Sequence, residues 1–339
     1  MQRKTYTFSG KKTVYYFNAE FSLLDQLVDP AKAVIVTDEN IFNAHWRKLK
    51  GWKTIVLQPG EENKIQSTVD SIIQQLIDFG ADRKTFLIGL GGGVVTDITG
   101  YAAAVYMRGI SFGFVPVSLL AMVDASIGGK NGIDVGPYKN LAGTIRQPEF
   151  LLYDSSFLKS LPQAEWVNGF AEIIKHACIR DARLFKELEE HSVKFYKNDK
   201  DALSSLIQKN AMIKSNVVLA DEFEKGERKL LNFGHTWGHA IETNYSLPHG
   251  HAVSIGMVMA CRLSEKLAGF KHTERVIALL EQYGLPVEME VDKNKVFEVL
   301  KMDKKKVNTS MNYVLLNDIG KAVIKSIPLE KLEVLVNNN

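Results

Sequence analysis

The sequence predicts an α/β N-terminal domain with a parallel sheet, followed by a mostly α-helical C-terminal domain. Short apolar runs alternate with helical patterns in the first half, long periodic segments fill the second, and 339 residues are long for one core. Strands are expected at 33–37, 54–57, 85–90, 112–117 and 150–153. These runs are continuous rather than alternating, as in parallel strands covered on both faces. Residues 65–79 repeat apolar side chains at helical spacing, so the strands read as βαβ units. Gly91-Gly92-Gly93 follows the third strand, and a helix is expected over 98–107. The boundary falls near 155–160, giving domains 1–157 and 158–339. Pro162 sits near a helix start, and helical segments follow at 163–197, 200–225, 235–246, 251–268 and 273–283. The last stops at Gly284 with Pro286 beyond it, because glycine takes the left-handed cap and proline cannot continue. Residues 313–316 and 320–327 are expected to form a small strand pair.

A net charge of +3 leaves no nucleic-acid footprint on the whole chain. Cys178 and Cys261 lie in apolar helical contexts, which points to buried thiols in a reducing compartment rather than a disulfide framework. The N-terminus has no apolar signal core, and no run approaches the ~20 apolar residues of a membrane span. The expectation is a cytoplasmic enzyme with neither membrane nor nucleic-acid partner.

The segment from Gly91 to Asp97 lies between a strand and a helix. Bare backbone there can approach a pyrophosphate, and the helix N-terminus offers free N–H groups. The alternative is a purely structural turn, and the G-x-G-x-x-G spacing is absent. His235 and His239 are four apart, so on a helix they share a face, as paired zinc ligands do. The alternative is one histidine bonded to backbone and one in the core. His249, His251 and Glu172 lie in neighbouring segments. A carboxylate with two imidazoles suits a zinc-like ion that keeps a position open for substrate, although Glu172 taken alone reads more readily as a solvated helix residue. Glycine turn and metal donors together suggest metal-assisted hydride chemistry. Arg108, Lys130, Lys139, Lys175, Lys214, Arg228, Lys304 and Lys305 are each ordinary surface charges when taken singly. Lys130 stands out because it follows Gly128-Gly129, and Arg228 because it precedes the histidine segment. If several converge, the substrate is polyanionic, such as a phosphorylated carboxylate.

At these residues the chain resembles the 3-dehydroquinate synthase family of the sugar-phosphate cyclase superfamily. The resemblance runs from about Asp38 to Gly320. It rests on Gly91 to Asp97, Tyr106-Met107-Arg108-Gly109, Val123 to Lys130, Lys139-Asn140-Leu141, Gln147-Pro148, Leu161-Pro162, Ala171 to Lys175, Leu231 to His239, and His249-Gly250. It implies a Rossmann-like NAD-binding domain, a helical metal- and substrate-binding domain, an active site in the cleft between them, and a homodimer. Metal ligation by zinc or cobalt is implied for Glu172, His235 and His249, with His239 assigned to substrate rather than metal. NAD contacts are implied at Asp38, Asn40, Glu61, Lys64, Gly92, Gly93, Asp97, Ser118, Leu120, Ser160 and Leu161. Substrate contacts are implied at Asp124, Lys130, Lys139, Asn140, Lys175, Lys214, Arg228, Asn232, His239 and Lys304; Asp124, Lys130 and Lys139 are also counted at the cofactor. Arg108 is implied to reach the phosphate in a neighbouring subunit.

The implied reaction converts 3-deoxy-arabino-heptulosonate 7-phosphate into 3-dehydroquinate and phosphate, in the shikimate pathway to the aromatic amino acids. NAD oxidises C5, the ketone acidifies the C6 proton, phosphate leaves, hydride returns, and an intramolecular aldol closes the ring. Alternatives are a related cyclase acting on a substrate without the carboxylate, and an NAD- and metal-dependent alcohol dehydrogenase of the glycerol dehydrogenase type. The chain departs from the family pattern at Thr96, Val117, Asn131, Asp134, Arg146, Glu227 and His251. His251 replaces a glutamate and has three readings: a fourth ligand closing the site, a side chain facing away, or, the favoured one, a residue that takes over the glutamate's support of the metal ligands.

Overall fold

The five continuous apolar runs become parallel strands of one sheet in a computed structural model that describes residues 1–136, 138–245, 247–302 and 309–337. The elements of this first part are β1 (Gln2–Phe8), β2 (Lys11–Phe17), α1 (Leu24–Leu27), β3 (Ala33–Asp38), α2 (Glu39–Leu49), β4 (Lys53–Leu57), α3 (Gln66–Asp78), β5 (Phe86–Gly91), α4 (Gly93–Val105), β6 (Phe112–Pro116), β7 (Lys130–Val135), β8 (Tyr138–Ile145) and β9 (Phe150–Leu152). The seven-stranded sheet runs β1-β2-β9-β6-β5-β3-β4. It is parallel from β2 to β4, and β1 pairs antiparallel with β2. Ile35, Ile88, Leu90, Val115, Leu152 and Phe157 belong to one buried core.

From β3 the chain moves to the edge strand β4, then crosses back to β5 on the other side of β3. The strand order therefore reverses between β3 and β5. In open α/β sheets the carboxyl ends of the strands at such a point form the ligand crevice.

The second half holds α5 (Gln163–Arg180), α6 (Ala182–Glu190), α7 (Val193–Asn198), α8 (Lys200–Ala220), α9 (His235–Tyr245), α10 (His249–Ala268), α11 (Thr273–Gln282), α12 (Lys293–Met302), β10 (Ser310–Asp318), β11 (Lys321–Pro328) and α13 (Leu329–Asn337). The segment expected as one helix at 163–197 is three. Asp181 accepts hydrogen bonds from the Arg183 and Leu184 amides, and Ser192 accepts one from Phe195, so each starts a new helix. The expected strand pair is the antiparallel hairpin β10–β11.

By packing, one unit comprises Met1–Glu165 with Ser204–Phe223, and the other Trp166–Leu203 with Glu224–Asn339. The sequence-based division at 157/158 did not anticipate that residues 204–223 group with the sheet. Polar contacts tie this segment to the rest of the first unit. Ser215 donates to the Tyr15 hydroxyl at 3.0 Å, and the Gln147 amide donates to Glu222 at 2.9 Å. Cys178 and Cys261 are buried and unpaired, and burial raises both thiols. Among the described residues no helix is long and apolar enough to cross a membrane.

Candidate active site

In the first unit the expected cofactor residues collect at the carboxyl ends of the parallel strands. Asp38 ends β3 and caps α2 by accepting from the Ile41 amide at 3.0 Å; burial raises its carboxyl. Asn40 is exposed on the same turn. Gly92 begins α4 without a side-chain cap. A Cβ built there meets nothing nearer than the Ser118 hydroxyl at 3.5 Å, so the turn is open on that side. Ser118 follows β6 and accepts from the Ala121 amide at 3.2 Å; Leu120 precedes a π-helical turn over Ala121–Ala125. Ser160 bonds His45 Nε2 at 2.7 Å just before Leu161.

Lys64 is buried at 4% exposure, so its ammonium requires partners. It pairs with Asp97 at 2.6 Å and donates to Asn140 Oδ1 at 2.7 Å, with Glu61 at 3.8 Å. Burial raises the Asp97 carboxyl, against the pull of Lys64 and Lys214. The π-helical turn carries Asp124, whose carboxylate and backbone carbonyl both receive Lys214 Nζ, at 2.7 and 2.8 Å. Such turns commonly sit at functional sites. Lys130, Lys139 and Asn140 are exposed on the β7–β8 hairpin. Arg108 is exposed on a left-handed backbone with φ of 67°.

In the second unit, α5, α9 and α10 bring the metal candidates together. A Cβ on Gly256 of α10 would overlap the carbonyl oxygen of Gly234, and one on Gly250 would lie 2.6 Å from the Asn168 carbonyl oxygen. Only glycine allows these approaches. They press the start of α9 against α10, and the first turn of α10 against α5. Donor atoms of Glu172, His235 and His249 consequently lie within 4.8 Å of one another. Glu172 is fully buried, and its Oε1 stands 3.0 Å from His249 Nε2 and 3.4 Å from His235 Nε2. Lys175, also buried, pairs with the other carboxylate oxygen. Burial opposes ionisation of Glu172, yet Lys175 and the two imidazoles hold it well below the usual carboxylate range. His235 is lowered by burial, with Glu172 opposing. Burial also acts to lower His249, but contacts with Glu172 and Glu242 raise it to about 9.

This donor set fits a zinc-like cation. His235 Nδ1 lies 3.1 Å from the Phe233 carbonyl; a carbonyl can only accept, so Nδ1 carries the proton and the Nε2 lone pair faces Glu172. His249 Nδ1 faces Glu242 at 3.5 Å. Both rings therefore present Nε2 beside a buried carboxylate oxygen, the usual form of metal-bound imidazoles. His239 is exposed, its ring 5.1 Å from that of His235 and 6.2 Å from that of His249. Arg228 is buried, and the Asn232 amide donates to Glu224 at 2.8 Å. Lys304 and Lys305 lie outside the described residues.

Sequence reasoning missed Glu242, although its place seven after His235 and three after His239 puts it on the same helical face. His251 is half-buried and is absent from the clustered donor atoms. Five of the other six departures make internal side-chain bonds. Asn131 donates to the Gly129 and Arg146 carbonyls, Asp134 accepts from the Asn140 amide at 2.7 Å, and Arg146 caps the Ala103 carbonyl at 2.9 Å. Glu227 pairs with Arg180, and Thr96 bonds back to the Gly93 carbonyl.

Two family models divide the chain: 3-dehydroquinate synthase N-terminal over residues 54–168, and 3-dehydroquinate synthase C-terminal over residues 169–306. The chain belongs to the 3-dehydroquinate synthase family. A 3-dehydroquinate synthase from Clostridium botulinum is 38% identical over an alignment of 346 positions that covers 97% of each chain. A solved 2-deoxy-scyllo-inosose synthase with carbaglucose-6-phosphate, NAD+ and Co2+ shares the fold at TM-score 0.87 and 23% identity, covering all of both chains. The 2-epi-5-epi-valiolone synthase of Streptomyces hygroscopicus, with NAD+ and Zn2+ bound, has TM-score 0.86 and 26% identity over 100% of this chain and 99% of that one. The synthase family thus accounts for both halves, and the alternatives are not favoured.

Proposed function

We propose that the protein is a phosphate-eliminating lyase that converts 3-deoxy-arabino-heptulosonate 7-phosphate into 3-dehydroquinate. It would act in the cytoplasm, in the shikimate pathway, as a homodimer using NAD and zinc or cobalt. The observation that carries the reading is the Glu172–His235–His249 donor set, built on a buried carboxylate, in a chain matched by synthase models in both halves.

Asp38, Asn40, Glu61, Lys64, Gly92, Gly93, Asp97, Ser118, Leu120, Ser160 and Leu161 are assigned to NAD. When bound, NAD would supply reversible hydride acceptance, and Glu172, His235 and His249 would hold a metal that supplies Lewis acidity. The remaining chemistry belongs to the chain's own groups. Lys64 pairs with Asp97 beside the glycine turn, and Lys175 neutralises Glu172 so that a buried carboxylate is tolerated there. Asp124 anchors Lys214, which with Lys130, Lys139 and Asn140 is assigned to the anionic substrate. In the second unit Lys175, Arg228, Asn232 and His239 take the same assignment. Cations fixed by such partners stabilise negative charge without reorganising during the reaction. Arg108, exposed on its left-handed turn, is assigned to a partner subunit's substrate phosphate.

The deciding assay incubates purified protein with the heptulosonate phosphate, NAD and zinc. Phosphate and 3-dehydroquinate should appear in equal amounts, with no build-up of NADH absorbance. NADH accumulating in step with product would identify a dehydrogenase instead.

A further inference from the structure

The histidines facing Glu172 differ in what stands behind them. Behind His235 Nδ1 is the neutral carbonyl of Phe233, at 3.1 Å. Behind His249 Nδ1 is the carboxylate of Glu242, at 3.5 Å, on a side chain only 6% exposed. A carboxylate carried into such a place needs compensation. Glu242 is held there by the backbone fit of its helix. A Cβ on Gly238 of α9 would lie 2.8 Å from the Ala252 carbonyl oxygen of α10, so the two helices meet one turn from Glu242 with no room to slide.

We infer that Glu242 is a positioning residue for the metal centre: its carboxylate accepts a hydrogen bond from the His249 Nδ1–H, fixing the tautomer and orientation that aim Nε2 at the cation. An anionic acceptor also makes the imidazole a stronger donor than a carbonyl does. This is the support that the sequence reading gave to His251, whose ring is not among the clustered donors. The inference rests on the metal reading above and goes beyond it. Glu242 could instead bind a cation itself, since His239, Glu242 and His249 form a second group of donors; the test separates the two roles.

Full-length wild type, Glu242→Gln, Glu242→Ala and His239→Ala are stripped of metal, and zinc affinity is measured by competition with a chromophoric chelator. Cobalt-loaded samples give visible spectra, and unfolding in chelator reports the metal-free fold. Both Glu242 variants should bind zinc ~10–100-fold more weakly, the usual effect of losing a carboxylate behind a metal-bound histidine. The cobalt bands should shift in Glu242→Gln, its metal-free unfolding should match wild type, and His239→Ala should bind zinc as wild type does. If Glu242→Ala fails to fold, Glu242→Gln decides. Wild-type affinity and spectrum in Glu242→Gln would overturn the inference alone. Equal losses in His239→Ala and Glu242→Gln would overturn it in favour of direct ligation. A wild type that takes up no zinc would overturn the metal reading and this inference together.

Discussion

Gly256 packs on the carbonyl oxygen of Gly234 so closely that no side chain fits between α10 and the start of α9. Gly234 has a left-handed φ of 80° and lies one residue before His235, so this contact sets where the His235 imidazole begins. The obstacle to a larger residue is backbone, which cannot rotate aside as a side chain would. Gly256→Ala should therefore force the helices apart, at ~1–3 kcal/mol or more, and zinc content should fall with stability. Chemical denaturation and metal analysis of the purified variant check this. A Gly256→Ala protein with native stability and full zinc would show that the approach is not required.

Lys64 is buried and pairs with the partly exposed Asp97 beside the glycine turn. Removing one member leaves the other charge uncompensated, whereas removing both need not be costly. Lys64→Met should lose ~1–3 kcal/mol, and Lys64→Met with Asp97→Leu should recover part of that loss. Both should weaken NAD binding, because Asn140 and the turn lose their shared anchor. Denaturation of the four proteins in a double-mutant cycle, with NAD titrations, reads the coupling; additive losses would mean the pair is energetically unimportant.

The legible parts of the fold are those with local signals. Strands β3 to β6 and β9 are unbroken apolar runs, and α11 carries a glycine-proline stop. The β1–β2 and β7–β8 hairpins were not read. In β1 only Tyr6 and Phe8 are buried, and β8 is largely exposed, so neither shows a clear hydrophobic pattern. Helix α4 was expected from Ile98 but begins at Gly93, because packing overrides the poor helix propensity of its first turn. At the site, spacing pointed to His235 with His239, and only the family resemblance moved the second ligand to His249. Helical periodicity cannot select that residue, because it depends on where α10 meets α9. Glu242 was legible in principle, on the His235–His239 face, but its meaning required the position of His249.

The donor geometry separates two histidines that look equivalent in sequence. His249 Nε2 stands 3.0 Å from Glu172, whereas His239 is exposed and absent from the Glu172 cluster. His249→Ala should purify without stoichiometric zinc, and His239→Ala should keep zinc while losing turnover. Metal analysis of both proteins, followed by phosphate-release assays, decides the assignment. Zinc lost from the His239 variant and retained by the His249 variant would reverse it.

Asp154 gives a prediction about pH. Its carboxylate accepts from the Phe21 and Ser156 amides and pairs with Lys48 at 2.9 Å. Burial opposes its ionisation, but hydrogen bonds from Ser156 and Lys48 win, and the group sits below its ordinary value of 3.8. A carboxyl depressed on folding stabilises the native state above the unfolded value and loses that contribution as pH falls through the lower folded value. Asp154→Asn keeps a similar shape but cannot titrate or pair with Lys48. It should be less stable than wild type by ~1.5–3 kcal/mol at neutral pH, the range for hydrogen bonds to a charged group. The gap should hold down to about pH 5 and narrow below the ordinary aspartate value, ~3.9. Carboxylates common to both proteins cancel in the difference, so the narrowing reports Asp154 alone. Urea unfolding of both proteins at neutral, mildly acidic and strongly acidic pH measures it. A gap that stays constant or widens on acidification would mean that the Asp154 charge contributes nothing.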